Sequence, residues 1–263
     1  MHPRTHRNSF SLKTLQVCEV VLVLLISAFP IFATGTDNFI IRQNVSNSNR
    51  EELARRLQTI TGWTDLTFDA SGALNIGNIA ARGGSTSARE LLLKTMSGSR
   101  VILIEDASSR KDVVFCRVVS GRLDRDPSLE VYVVLVDFED FQQVTGDKPA
   151  RAAFDVGWAV LHEVDHVVQN SEDPKEGDVP GDCEGHINRM RRELGLPVRN
   201  SYFFSFLPIK NDANLIGRFV RLGFEQEDHG SSKTKRYWLI WDAVLVGGLP
   251  EVSELTGRFN PQK

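Results

Sequence analysis

Residues 161–166 read Leu-His-Glu-Val-Asp-His. The fold turns on whether these six residues are a metal-binding helix or an ordinary helix carrying two histidines. Positions i and i+4 lie one turn apart on the same helix face. His162 and His166 can therefore offer two imidazoles to one ion. Zinc accepts histidine nitrogens at about 2.0–2.1 Å and favours four ligands in a tetrahedron. Glu163 follows His162 by about 100° around the helix. That places a carboxylate beside the ion without competing for the histidines' position. Such a carboxylate takes the proton of an attacking water, whose acidity zinc raises towards a pKa near about 7.

The surrounding residues favour the metal. Phe154, Val156, Trp158, Val160, Leu161, Val164, Val167 and Val168 make this helix apolar on most sides, as in a buried helix. Buried histidines and carboxylates need partners, and one ion satisfies them together. Asp165, inside the motif, is expected to orient a neighbour. A catalytic zinc needs a third protein ligand. The metzincin continuation is excluded, because Gln169 and Glu172 occupy the positions where it requires glycine and histidine. The segment 181–197, Gly-Asp-Cys-Glu-Gly-His-Ile-Asn-Arg-Met-Arg-Arg-Glu-Leu-Gly-Leu-Pro, supplies a second helix. Glu184 is the expected third ligand, with His186 and Asp182 as alternatives. Asn188 and Arg191 lie near the same face. The acidic stretch between the helices carries Glu172, Asp173, Glu176, Asp178 and Asp182. Its spacing does not match an EF-hand, and it reads as a solvated loop over the cleft. Tyr202, His229 and Tyr132 are candidates for an oxyanion donor.

The chain has 263 residues, 41% hydrophobic and 25% charged, with a formal net charge of −3. That is ordinary for a protein with a real core. No basic block marks a nucleic-acid interface. Arg4, Arg7 and Lys13 precede fourteen uncharged residues, 20–33, and small residues follow at 33–35. This is the layout of a secretory leader. At 1.5 Å per residue the apolar run reaches about 21 Å, short of a bilayer core of roughly 30 Å. Residues 1–35 are thus expected to be a signal peptide, or else an N-terminal anchor and the chain's one link to a membrane. Residues 36–263 are expected to form a single domain. Without the leader the net charge is −5, and two cysteines remain, Cys116 and Cys183. An exported chain permits a disulfide between them, and the spacing leaves pairing and free thiols both open.

Capping boxes at Ser48–Glu51 and Ser87–Glu90 start two helices, ended by Gly62 and Gly98. A short hairpin is expected between them. The apolar, β-branched runs 101–106, 113–119 and 131–138 read as a small sheet. A long helix is expected over roughly Ala150–Gln169, with Asp147 as cap and Pro149 in its first turn. A second is expected from about Cys183 to Leu194. The C-terminal part suggests strands, with a helix near 213–222.

The helix with His162, Glu163 and His166 is followed by Asn188, Arg191, Glu193, Leu194, Gly195, Leu196, Pro197, Arg199 and Tyr202. Together they resemble the effector-type zinc metallopeptidases, gluzincin-like domains of type III secreted effectors and of Rhs-associated toxin tips. The resemblance covers roughly residues 154–202. It implies an α+β, zincin-like fold, in which a small mixed sheet packs on a long HExxH helix and a second, ligand-bearing helix. It implies zinc on His162 and His166, Glu163 as catalytic base, and a carboxylate ligand from the second helix. The expectation is an exported zinc metallopeptidase acting on protein or peptide substrates. The alternative is a non-catalytic, exported metal-holding or binding module of the same fold.

Overall fold

The computed structural model describes residues 38–246 apart from 109, 124–125, 175–179, 210–211 and 229–232. The leader at 1–35 and His229 lie outside the described residues. In chain order the elements are β1 (Phe39–Ile41), α1 (Asn47–Thr61), β2 (Thr67–Phe68), β3 (Leu74–Asn75), α2 (Thr86–Ser97), β4 (Val101–Asp106), β5 (Cys116–Gly121), β6 (Val131–Val136) and β7 (Thr145–Gly146). They continue with α3 (Lys148–Ala152), α4 (Val156–Gln169), α5 (Asp182–Glu193), β8 (Val198–Arg199), β9 (Ser205–Ile209), β10 (Asp212–Glu227) and β11 (Thr234–Asp242). The class is α+β, with five α-helices among the described residues.

The three β-branched runs pair with β1 into one mixed sheet of order β1-β4-β6-β5. β1, β4 and β6 run parallel, and β5 returns antiparallel on the edge beside β6. One face of the sheet, through Ile102, Ile104, Val134 and Val136, joins the main core with α1, α2 and α4. The other buries Val101, Leu103, Val131, Val133 and Leu135 against Ala107 and Val113 from the loop after β4. Burial on both faces explains why these strands read as continuous apolar runs instead of alternating.

α1 inserts Leu53, Leu57 and Ile60 at helical spacing, all at most 2% exposed. Each fully buried side chain of this size contributes about 1.5–3 kcal/mol. The helix starts at Ser46, whose hydroxyl accepts from the Asn49 amide at 3.2 Å, two residues before the expected cap. Ser85 likewise caps α2 through the Ala88 amide at 3.0 Å, in place of Ser87. At Gly157 a Cβ would lie 2.8 Å from Arg56 Cβ. Only glycine lets α4 approach α1 this closely.

The expected long helix over 150–169 is two helices. Asp155 adopts an extended backbone, and its carboxylate accepts from the Gly157 and Trp158 amides at 2.9 and 3.3 Å. A side-chain cap therefore replaces backbone continuation. The freed carbonyls find other donors: Trp158 Nε1 reaches Ala152 O at 3.0 Å, and Arg191 Nε reaches Ala153 O at 2.9 Å.

The expected helix near 213–222 is strand. β10 pairs with β11 over nine residues, from Phe219↔Asp242 to Glu227↔Thr234, and Val220, Leu222 and Phe224 alternate into a second core. The period of two along this hairpin outweighs the local helical spacing. β7, β11, β10 and β8 form the antiparallel second sheet, with β9 also on β10. Cys116 and Cys183 are both free thiols.

Candidate metal centre

α4 buries Val156, Val160, Leu161, Val164 and Val167 and turns His162 and Glu163 towards a cleft, with His166 one turn on from His162. The helix ends at Asn170 in the left-handed region, φ 53°, a backbone state asparagine tolerates better than most residues. The chain then doubles back along the helix. Ser171 O comes within 2.8 Å of His166 Nδ1, and the Asp173 carboxylate reaches both histidines.

Three donor groups converge there. His162 Nε2 and His166 Nε2 are 3.2 Å apart. Asp173 Oδ1 lies 3.2 Å from His162 Nε2, and Oδ2 lies 3.3 Å from His166 Nε2. A tetrahedron with bonds of about 2.0–2.1 Å has edges of about 3.3–3.4 Å, close to the Nε2–Nε2 spacing, and Asp173 faces the pair with one oxygen towards each ring. His166 Nδ1 faces a carbonyl and donates to it. The Nε2 atoms of both rings lie against the Asp173 carboxylate, which can only accept. A cation bound there would replace the protons on those two nitrogens. His162 Nδ1 lies 3.6 Å from Glu184 Oε2. Burial works against a charged His166, but Asp173 and Ser171 O prevail and raise its pKa to about 9. Asp173 is held well below the carboxylate range by the two histidines and Tyr202, against the cost of burial. Cys183 Sγ completes a group, His162, His166, Asp173 and Cys183, whose ligand atoms lie within 4.8 Å of one another and could hold a metal ion. The thiol donates to His162 O at 3.2 Å, and burial pushes its pKa up.

Glu184 lies elsewhere. It is fully buried on α5, ion-paired with Arg191 and, at 3.2 Å, with Arg199. Burial alone would raise its pKa, but Arg191, Arg199 and His162 bring it to about 2. Its nearest approach to the motif is the far nitrogen of His162. The two arginines compensate its charge, so it braces His162 from behind. His186 Nδ1 contacts Asp165 Oδ2 at 2.8 Å, and Asp182 is exposed in the first turn of α5. The carboxylate shared by the two Nε2 atoms is Asp173, from the stretch expected to be a solvated loop. Seven residues beyond His166, its sequence position carries no helical register. Only the left-handed turn at Asn170 brings it back.

Glu163 Oε2 accepts from the Val118 amide on edge strand β5 at 2.9 Å. Burial raises the Glu163 pKa, against the pull of both histidines. That is the direction a general base requires. Tyr202 donates to Asp173 Oδ2 at 2.5 Å. Its ring stacks near His162, with centroids 6.3 Å apart, and covers the Arg199 guanidinium at 4.6 Å. Tyr132 on β6 lies instead beneath Arg100.

Comparison with family models, with curated proteins and with solved structures finds no match to this chain.

Proposed function

We propose that the chain is an exported, zinc-dependent metallopeptidase of zincin-like architecture, with Glu163 as general base and His162, His166 and Asp173 as metal ligands. The observation that carries this is the convergence of two histidine Nε2 atoms and one carboxylate at spacings of 3.2–3.3 Å, beside a buried carboxylate of raised pKa. Two imidazole nitrogens and a carboxylate are donors that suit zinc. Bound there, zinc would acidify a water and polarise a substrate carbonyl. The chain's residues do the rest. Glu163, steadied by the Val118 amide, takes a proton from the attacking water and returns it to the leaving amine. Tyr202 holds the Asp173 carboxylate, and Ser171 O fixes the His166 ring. Asp173 takes the ligand role expected of Glu184, whose charge is already balanced by two arginines.

Purified protein should hold one zinc, and it should cleave peptides in a way that chelator abolishes. Glu163→Gln should keep the metal and lose hydrolysis. Full activity in that variant would rule out the mechanism.

Cys183 favours a second reading. Two histidines, Asp173 and Cys183 would close a tetrahedron, as in a structural site with no open position, and the chain would then be a non-catalytic metal-holding module. A metal-loaded protein with no hydrolysis of any peptide would favour it.

A further inference from the structure

The face of α4 that carries Glu163 opens onto an aromatic cavity. Its volume is about 220 Å³, and its walls include Phe115, Phe154, Trp158, Phe203, Phe204 and Trp241, with His162 and Glu163 at one side. The rings already meet edge to face: Phe115 lies 5.1 Å from Phe154 and 5.3 Å from Trp241, both at 86°. Ala159, one turn before Glu163, also lines the cavity. Its single methyl group keeps the space beside the base open.

The cavity's size and polarity select an occupant. A dry apolar cavity of about 150 Å³ already admits benzene, so 220 Å³ takes one aromatic ring, not a larger ligand. The charged groups in the wall are committed. Arg191 and Arg199 are engaged by Glu184, by Asn188 Oδ1 and by the carbonyls of Ala153, Ser201 and Tyr202. Glu163 accepts from Val118. Two carboxylates and two guanidiniums balance in the wall, and all four are engaged, so an entering lysine or arginine would be desolvated with no uncommitted counter-charge to meet it. An entering phenyl or indole ring would gain edge-to-face contacts on several sides.

We propose that this cavity is a specificity pocket for an aromatic side chain of the peptide, on the residue flanking the bond that is cut. The proposal rests on the peptidase reading for the word "cut", but occupancy of the pocket does not depend on it.

Two measurements keep the two apart. In the first, cleavage of a peptide mixture is mapped by mass spectrometry, and kcat/KM is compared for matched peptides with Phe or Ala at the flanking position. Because a single methylene in an apolar pocket is worth about 10–200-fold, Phe should exceed Ala by about a hundredfold or more. Ala159→Leu, which fills the pocket, should reduce that ratio at least about tenfold. In the second, N-acetyl-phenylalaninamide is titrated while tryptophan fluorescence is followed, since Trp158 and Trp241 face the cavity. The wild type should respond and Ala159→Leu should not. If Ala159→Leu melts early, Phe203→Ala on the exposed rim (45% exposed) should lower the same ratio. Probe binding without any hydrolysis would sink the peptidase reading and support the pocket. Hydrolysis with no aromatic preference and no probe response would overturn the pocket and leave the peptidase reading standing.

Discussion

The Tyr202 hydroxyl donates to Asp173 Oδ2 at 2.5 Å, while Asp173 Oδ1 faces His162 Nε2 at 3.2 Å. One side chain thus presents the carboxylate that completes the histidine pair. Partners of this kind outside the ligand set typically change metal affinity by about 10–100-fold. Tyr202→Phe should weaken zinc binding by about that factor, measured by competition with a coloured chelator. An unchanged affinity with a lost kcat would mean that the hydroxyl serves the substrate instead.

Asp173 and Glu184 should separate cleanly. Asp173→Asn should fold normally and lose more than about a hundredfold in metal affinity, beyond the usual effect of a supporting partner. Glu184→Gln should instead destabilise the fold by about 3–5 kcal/mol, because Arg191 and Arg199 would lose their buried counter-charge. Chemical denaturation and metal titration on both variants test this. A stable Glu184→Gln protein that binds no zinc would restore Glu184 as the ligand.

Part of the cluster that could hold a metal ion was legible in the sequence, and the limits have physical causes. His162, Glu163 and His166 follow from helical spacing alone, and so do the helices that carry them and Glu184. Asp173 did not, because a loop residue has no period. Its place is set by the left-handed turn at Asn170 and by the His166–Ser171 contact. Glu184 lies on the expected helix, but spacing alone did not show its partners: Arg191, two turns on along the same face, and Arg199, beyond the helix, are both ion-paired with it. The break at Asp155 was readable in principle, as an aspartate just before an apolar helix. Phe154 and Val156 on either side of it masked the cap. In 213–222, pairing with β11 overrode a locally plausible helix.

Cys183 tests whether the site is open. Burial keeps its thiol protonated, and its hydrogen bond goes to a backbone carbonyl. Zinc binds the thiolate, so ligation by Cys183 would have to displace that proton from a buried site. Cys183→Ala should keep one metal per chain and change peptide hydrolysis by less than about threefold. Loss of the metal in this variant, read by elemental analysis, would instead establish a closed four-ligand site.

Away from the centre, Glu193 at the end of α5 is tied to the start of α2. Its carboxylate accepts from Ser85 Oγ at 2.7 Å, from Ser87 Oγ at 2.6 Å and from the Ser87 amide at 3.1 Å. It thereby supplies negative charge to a helix N-terminus that has no acidic residue in its own first turn. Burial would raise the Glu193 pKa, but these hydrogen bonds lower it below its ordinary 4.5. A carboxylate whose pKa is depressed by folding adds stability that is fully present above the unfolded value. That stability is lost as pH falls through the folded one. The group is largely exposed, so solvent screens it and the contribution stays near about 1 kcal/mol. Glu193→Ala should therefore lower stability by about that amount at pH 7. The gap between variant and wild type should narrow as pH drops below 4.5 and close once the carboxyl is protonated. Thermal melts of both proteins across that range measure it. A gap that stays constant into acid would mean that packing of the side chain, and not its charge, joins α5 to α2.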